Sequence, residues 1–229
     1  MPWIVDLGKI GRKREDDIVI HELRIYTLWP GKVPEFLKLA EERARLIRGD
    51  NYGKCEGYWF TEFGTLNQIA HLWSYADLND RADARARLSQ NADWMNEYVA
   101  YVKPLIRRQQ IRLMHPRLPL KAPEGEGHVY EHRYYKTHMG AAPAFIKAIS
   151  EAMPARERHS QNVCLWHTEA ENPNEVSHMW VYDDLAHRAQ ARANAMADPD
   201  WRAFLGQAEQ HLEEMQNMLL LPAPFSPLK

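Results

Sequence analysis

Two triplets, His71, Trp73, Tyr75 and His178, Trp180, Tyr182, each occupy every second position of their segment. Side chains two residues apart on a strand share a face, so each triplet sets an imidazole between aromatic walls. Aromatic walls desolvate a small molecule, and an imidazole with a reference pKa of about 6.5 can exchange a proton near neutrality. His71 and His178 are therefore the candidate catalytic residues, as general bases. A second pair of triplets, Glu22, Arg24, Tyr26 and Glu131, Arg133, Tyr135, follows the same alternation. With Trp73, Tyr75, Trp180 and Tyr182 these are the candidate ligand contacts. The plainer role stands beside this one: buried charges demand partners, so Glu22 with Arg24 and Glu131 with Arg133 can be structural pairs around packed histidines.

Other residue types offer less. His128, His132 and His138 are spaced like metal ligands, but His128 and His132 share a strand and have no counterparts in the first half of the chain, so no metal site or other cofactor is expected. Asp77 and Asp184 precede helical segments as caps, each with an arginine four residues on, Arg81 and Arg188, placed for an i,i+4 ion pair. Trp94 and Trp201 suit docking of a helix on the sheet. No phosphate-binding glycine loop, nucleophile elbow or zinc-protease helix motif is present.

The candidate residues belong to a chain that repeats itself. Thr61, Asn67, His71, Trp73, Tyr75, Asp77, Arg81, Arg85 and Trp94 return at an offset of 107 residues, and Glu22, Arg24, Tyr26, Gly31, Pro34, Phe36 and Glu42 at 109. The difference reads as two residues lost in a loop. Such a period is too long for a solenoid and fits a duplicated small domain. Within the first copy, Ile18 to Thr27 alternates as a strand, and Val33 to Ile47 carries a helical stripe. Tyr58 to Phe63 and Ile69 to Tyr75 form a hairpin, a helix follows Asp77 and restarts near Trp94, and Arg108 to Met114 closes the unit as a strand. The order βαββαβ predicts an α+β chain of two ferredoxin-like repeats. Packing their uncovered faces together gives a pseudo-twofold dimeric α/β barrel within one chain. The His, Trp and Tyr triplets, and less firmly the Glu, Arg and Tyr triplets, are expected to line its interior, with Leu23, Ile25, Ala70 and Leu72 beneath the helices. The expected divisions are an extension over 1–17, repeats over 18–115 and 127–222, a linker over 116–126, and a tail over 223–229.

At these residues the chain resembles the NIPSNAP family, twice over. The resemblance rests on Glu22-Leu23-Arg24-Ile25-Tyr26, Pro30-Gly31, Trp59, Thr61-Glu62, Gly64, Asn67, His71-Leu72-Trp73-Ser74-Tyr75, Asp77-Leu78, Arg81 and Trp94. The second copy keeps Glu131, Arg133, Tyr135, Gly140, Trp166, Asn174, His178, Trp180, Tyr182, Arg188 and Trp201, and departs where Glu171 replaces Gly64. It implies the dimeric α/β-barrel superfamily, whose members include cofactor-independent monooxygenases and haem-binding enzymes. The family itself has no agreed reaction and supplies no catalytic residue.

Composition narrows the classes. A formal net charge of −2 over 229 residues gives no footprint for nucleic acid or anionic lipid. Two cysteines that do not align between copies suggest no disulfide framework, and no run reaches the roughly 20 apolar residues of a membrane span. With acidic Glu15, Asp16 and Asp17 near the start, the expectation is a cytoplasmic protein without nucleic-acid or membrane partners. Two functions remain. One is binding or transformation of a small apolar or aromatic metabolite in the barrel cavity, monooxygenase-like by fold analogy. The other is a non-catalytic interaction or scaffold protein acting through its outer surface. Homo-oligomerisation is compatible with both.

Overall fold

The structure is a computed structural model that describes residues 19–229; the 1–17 extension lies outside the described residues. Each half opens with a strand, β1 (Ile20–Leu28) or β5 (Val129–Thr137). A tight turn leads from it into a helix that carries proline in its first turn, where the missing N–H is not needed. The repeated asparagines explain themselves here. The side chains of Asn67 and Asn174 accept from the N–H of Gly31 and Gly140, and their carbonyls accept from Leu28 and Thr137, pinning the hairpin to the end of the first strand.

The first half continues through α1 (Val33–Leu39), a π-helical turn (Ala40–Ala44) and α2 (Arg45–Arg48) to β2 (Lys54–Phe63) and β3 (Gln68–Tyr75). Then come α3 (Leu78–Gln90), a second π-helical stretch (Trp94–Val99), α4 (Ala100–Val102), a 3-10 turn (Lys103–Leu105) and β4 (Ile106–Pro116). The second half has α5 (Ala142–Glu157), β6 (Asn162–Ala170), β7 (Glu175–Tyr182), α6 (Leu185–Ala197), α7 (Pro199–Ala208), a 3-10 turn (Glu209–His211) and β8 (Leu212–Pro222). Asp77 and Asp184 cap α3 and α6 as expected, accepting from Asn79 and Asp80 and from His187. Their neighbours Arg81 and Arg188 instead reach across to Glu22 and Glu131.

All eight strands close into one antiparallel barrel in the order β1-β3-β2-β8-β5-β7-β6-β4. The halves join at two seams, Trp59 to Phe63 against Leu219 to Pro222 and Leu113 to Pro116 against Trp166 to Ala170. The fold is therefore the expected α+β pseudo-twofold barrel.

The expected sidedness is reversed. The interior holds Leu23, Ile25, Ala70, Leu72, Met179 and Val181 together with Trp59, Tyr130 and Trp166, packed as a continuous core drawn from both halves. Trp180, Tyr182 and Tyr135 lie instead among helix residues such as Phe145, Ile149 and Phe204. Trp73 and Tyr75 pack with Ala84 of α3. An eight-stranded barrel has an interior that side chains can just fill or that can hold one small ligand. Here the middle is packed, and a polar pocket of about 480 Å³ remains beside Ile25, Gln110, Arg112, Tyr134, Glu175 and Met218; the aromatic triplets expected to line the interior lie instead between sheet and helices.

The two halves differ where the helices cross that outer layer. Arg48 and Arg156 are equivalent, each donating to a tyrosine hydroxyl (Tyr75, Tyr182) while lying over a tryptophan (Trp73, Trp180). Their offset is 108, against 109 for Phe36 and Phe145. One extra residue of the first copy thus sits inside the helix, not in a loop. It is absorbed where Arg45 N–H bonds Ala40 C=O, a five-residue π turn. The same happens again: Trp94 and Trp201 differ by 107, but the 3-10 turns Lys103–Leu105 and Glu209–His211 differ by 106. After a further residue lost between Arg48 and Thr61, where the offset falls from 108 to 107, another extra residue of the first copy lies in the stretch where Ala100 N–H bonds Met95 C=O.

Candidate functional site

Both π segments border a cavity of about 820 Å³ between the first half's sheet and its helices. Its floor is β1, β2 and β3, which present Arg24, Tyr26, Tyr58, His71 and Trp73. Its walls are Ala40, Ala44 and Arg48 on one side and Trp94, Tyr98 and Val99 on the other, with Phe225 of the C-terminal segment across one end. That segment is docked: Tyr58 N–H donates to Ser226 Oγ at 2.8 Å, Ala223 N–H to Tyr58 C=O at 2.9 Å, and the Phe225 ring sits 5.0 Å from Tyr58. Size explains the opening. Where the cavity has Ala40, the second copy has the buried Ile149, with buried Met153 one turn on.

His71 stands at the centre. The Tyr58 ring stacks on it at 4.9 Å and 11°, and Tyr26 meets it edge-on at 4.9 Å. Trp73 Nε1–H donates to His71 Nδ1 at 2.5 Å. That bond claims the Nδ1 lone pair, so the neutral ring carries its proton on Nε2. Burial, reinforced by the charges of Arg24, Arg48 and Arg85, holds the imidazolium form well below the ordinary histidine range. Nε2 is buried and has no hydrogen-bond partner among the described residues. His71 is thus a neutral donor with one free N–H, which denies Nε2 the lone pair that a general base or axial metal ligand needs there. A base role for His71 would need the other tautomer or release of Nδ1 from Trp73. His178 repeats the geometry, accepting from Trp180 Nε1 at 2.6 Å with Nε2 unpartnered.

The charged residues divide. Glu22 takes Arg24 and Arg81, with Arg85 at 3.8 Å. Burial alone would raise its carboxyl; the Arg24 and Arg81 guanidiniums outweigh that and hold it below the usual range. Glu131 likewise takes Arg133, Arg188 and Asn217, and is pulled down to about 2 against its burial. Arg24 also donates to Tyr26 Oη at 2.6 Å, as Arg133 does to Tyr135 Oη at 2.5 Å. These are the structural pairs the sequence allowed, present in both halves.

Of the expected site residues, Arg24, Tyr26, His71 and Trp73 meet at the cavity. Glu22 and Tyr75 stand behind it, Tyr75 holding Arg48. Glu131, Arg133, Tyr135, His178, Trp180 and Tyr182 pack beneath α5, α6 and α7 around Phe145, Ile149 and Phe204. Sequence reasoning missed Arg48, Tyr58 and Tyr98. For the two tyrosines the signal was present as broken symmetry: Tyr58 corresponds to Leu165 in the repeat, and Tyr98, 6.4 Å from Phe36, corresponds to Phe204, 6.2 Å from Phe145. Burial keeps both phenols protonated, pushing each well above the ordinary tyrosine range. Cys55 at the rim is similarly pushed up to about 12 by burial, so its thiol is no nucleophile.

Among solved structures, the chain is similar to a candidate monooxygenase from Fusobacterium nucleatum, with a TM-score of 0.68, 9% identity, and coverage of 91% of this chain and 94% of that one. An anthrone oxidase-like protein matches with a TM-score of 0.62 and 11% identity over 94% of this chain and 96% of its own. At such identities these likenesses concern the fold alone. Protein NipSnap homolog 3A of Homo sapiens is 31% identical over 221 residues, 94% of this chain and 88% of that protein. The NIPSNAP family model matches twice, over residues 21–118 and 130–227. This chain therefore belongs to the NIPSNAP family, as a tandem of two family segments.

Proposed function

We propose that the chain binds one small, largely aromatic or apolar metabolite in the first-half cavity, with His71 Nε2–H donating to it. The observation that carries this is the pairing of a cavity with two one-residue helix insertions, both on its walls and both absent from the second copy. A π-bulge distorts a helix at a cost, and such bulges concentrate at functional sites. Enclosure by Tyr26, Tyr58, Trp94 and Tyr98 suits a planar apolar ligand. The structural neighbours are a candidate monooxygenase and an anthrone oxidase-like protein. Oxygen-dependent conversion of the bound molecule is accordingly the reaction to assay first. Buried, protonated phenols and a neutral imidazole donor could hold an electron-rich ring away from water while it reacts.

The test is native mass spectrometry of the purified protein beside its denatured mass. A non-covalent excess of one small molecule per chain is expected, lost in Ala44→Met, which puts a longer side chain on the cavity wall. Retention of the molecule in that variant would place it elsewhere and overturn the reading.

A further inference from the structure

The cavity contains a buried cation with no counter-charge. Arg48 is 4% exposed, and no carboxylate lies within 4.0 Å of it among the described residues. Its guanidinium lies over the Trp73 ring, 3.2 Å from the centroid, and Nη2 is used on Tyr52 C=O and Tyr75 Oη, both at 2.9 Å. Nε is buried with no partner. Buried Arg24 and Arg112 have carboxylate partners, Glu22 and Glu175, and half-buried Arg133 has Glu131. Arg156, its counterpart, also has no carboxylate within 4.0 Å among the described residues, but it uses Nη1 on Ser160 Oγ at 2.8 Å and Nη2 on Tyr182 Oη and leaves no buried nitrogen orphaned, so the unpartnered Nε beside an open cavity is what sets Arg48 apart.

Burying an unpaired guanidinium is unfavourable by several kcal/mol unless something completes it. His71, whose buried Nε2 also lacks a partner, lies on the lining of the same cavity. The rim adds Arg45 and Lys103, both exposed and without a carboxylate within 4.0 Å among the described residues. The acidic residue on the lining, Asp50, is exposed and accepts from Cys55 N–H at 3.1 Å. The opposite wall, Trp94, Tyr98, Val99 and Phe225, is aromatic and aliphatic.

Resting on the cavity reading above, we infer that the ligand is an amphipathic monoanion: a planar apolar body against Trp94, Tyr98 and Phe225 that carries one acidic oxygen group set toward Arg48 and His71. Arg48 lacks both a counter-charge and a partner for Nε while standing on an open cavity, and a charge-assisted hydrogen bond is about twice as strong as a neutral one.

The experiment uses two fluorescent probes with the same skeleton, the anion 1-anilinonaphthalene-8-sulfonate and the neutral N-phenyl-1-naphthylamine. The full chain is expected to bind the anion at one site per molecule, about tenfold to a hundredfold more tightly than the neutral probe. Arg48→Met should remove that preference and leave the neutral probe's affinity within about twofold, while Arg48→Lys retains it. Near-ultraviolet circular dichroism confirms that the variants are folded, and the wild-type comparison needs no variant. Equal affinity for the two probes overturns the anionic assignment and leaves the cavity reading standing. Failure to bind either overturns both.

Discussion

Ala40→Ile separates a functional cavity from a packing defect. Ala40 is buried on the cavity wall, and the second copy carries Ile149 at the equivalent place, 1% exposed, so the local backbone accommodates that side chain. The substitution adds three carbons. At about 0.8 kcal/mol per buried methylene they contribute up to roughly 2.4 kcal/mol. A β-branched residue in a helix takes back about 0.4 kcal/mol, and lost rotamer freedom about 0.5 to 1 kcal/mol. The net expectation is a protein about 1 kcal/mol more stable, melting about 2 to 4 °C higher, that no longer holds its ligand. Urea unfolding supplies the first quantity and native mass spectrometry the second. A gain in stability with loss of ligand is the signature of a void kept open for use. Destabilisation by more than about 1 kcal/mol, with ligand retained, would refute the reasoning, because the alanine would then be serving close packing.

Three further outcomes follow from the geometry. Glu131, held at about 2 against an ordinary 4.5, contributes roughly 3 kcal/mol that is complete above pH 4.5 and is lost as the pH falls toward 2; acid unfolding of Glu131→Gln should lack that limb and start from a lower stability at pH 7. In nitrogen-15 NMR spectra His71 should remain the neutral Nε2–H tautomer from about pH 5 to 8, and Trp73→Phe should release Nδ1 and allow the other tautomer to appear; a titrating His71 in the wild type would contradict the assigned hydrogen bond. Truncation after Pro222 removes two hydrogen bonds to Tyr58 and the buried Leu228, a loss of about 4 kcal/mol read by urea midpoint, and should weaken ligand retention because Phe225 goes with it.

The duplication, the element order and the barrel were legible because period-two and helical patterns occur twice and must agree. Sidedness was not. In a barrel wrapped by helices both faces of every strand are buried, so alternation separates the two sets without naming them. The contradicting clue was Arg81 and Arg85, repeated as Arg188 and Arg192. Their recurrence makes sense only if Glu22 and Glu131 point outward to meet them. The site was half legible: His71, Trp73, Arg24 and Tyr26 recur and drew notice, whereas Tyr58 and Tyr98 become informative only when the copies are compared for their differences, and Arg48, which recurs as Arg156, went unnoticed because the helical offset of 108 hides the match. The change of offset was visible, but only the Arg48 and Arg156 contacts show that one of its steps falls within a helix.

Those unequal steps have an evolutionary consequence. In a barrel assembled from two identical subunits, every inserted residue is expressed twice, and a helix loosened to admit a ligand is loosened on both sides at once. Joining the halves in one chain lifts that obligation. One half can keep the close-packed arrangement of Ile149, Met153 and Phe204 and hold up the shared barrel, while its twin carries the π-helical insertions. Substitutions at matching positions in the two halves should therefore be tolerated unequally, stability filtering one side and ligand the other.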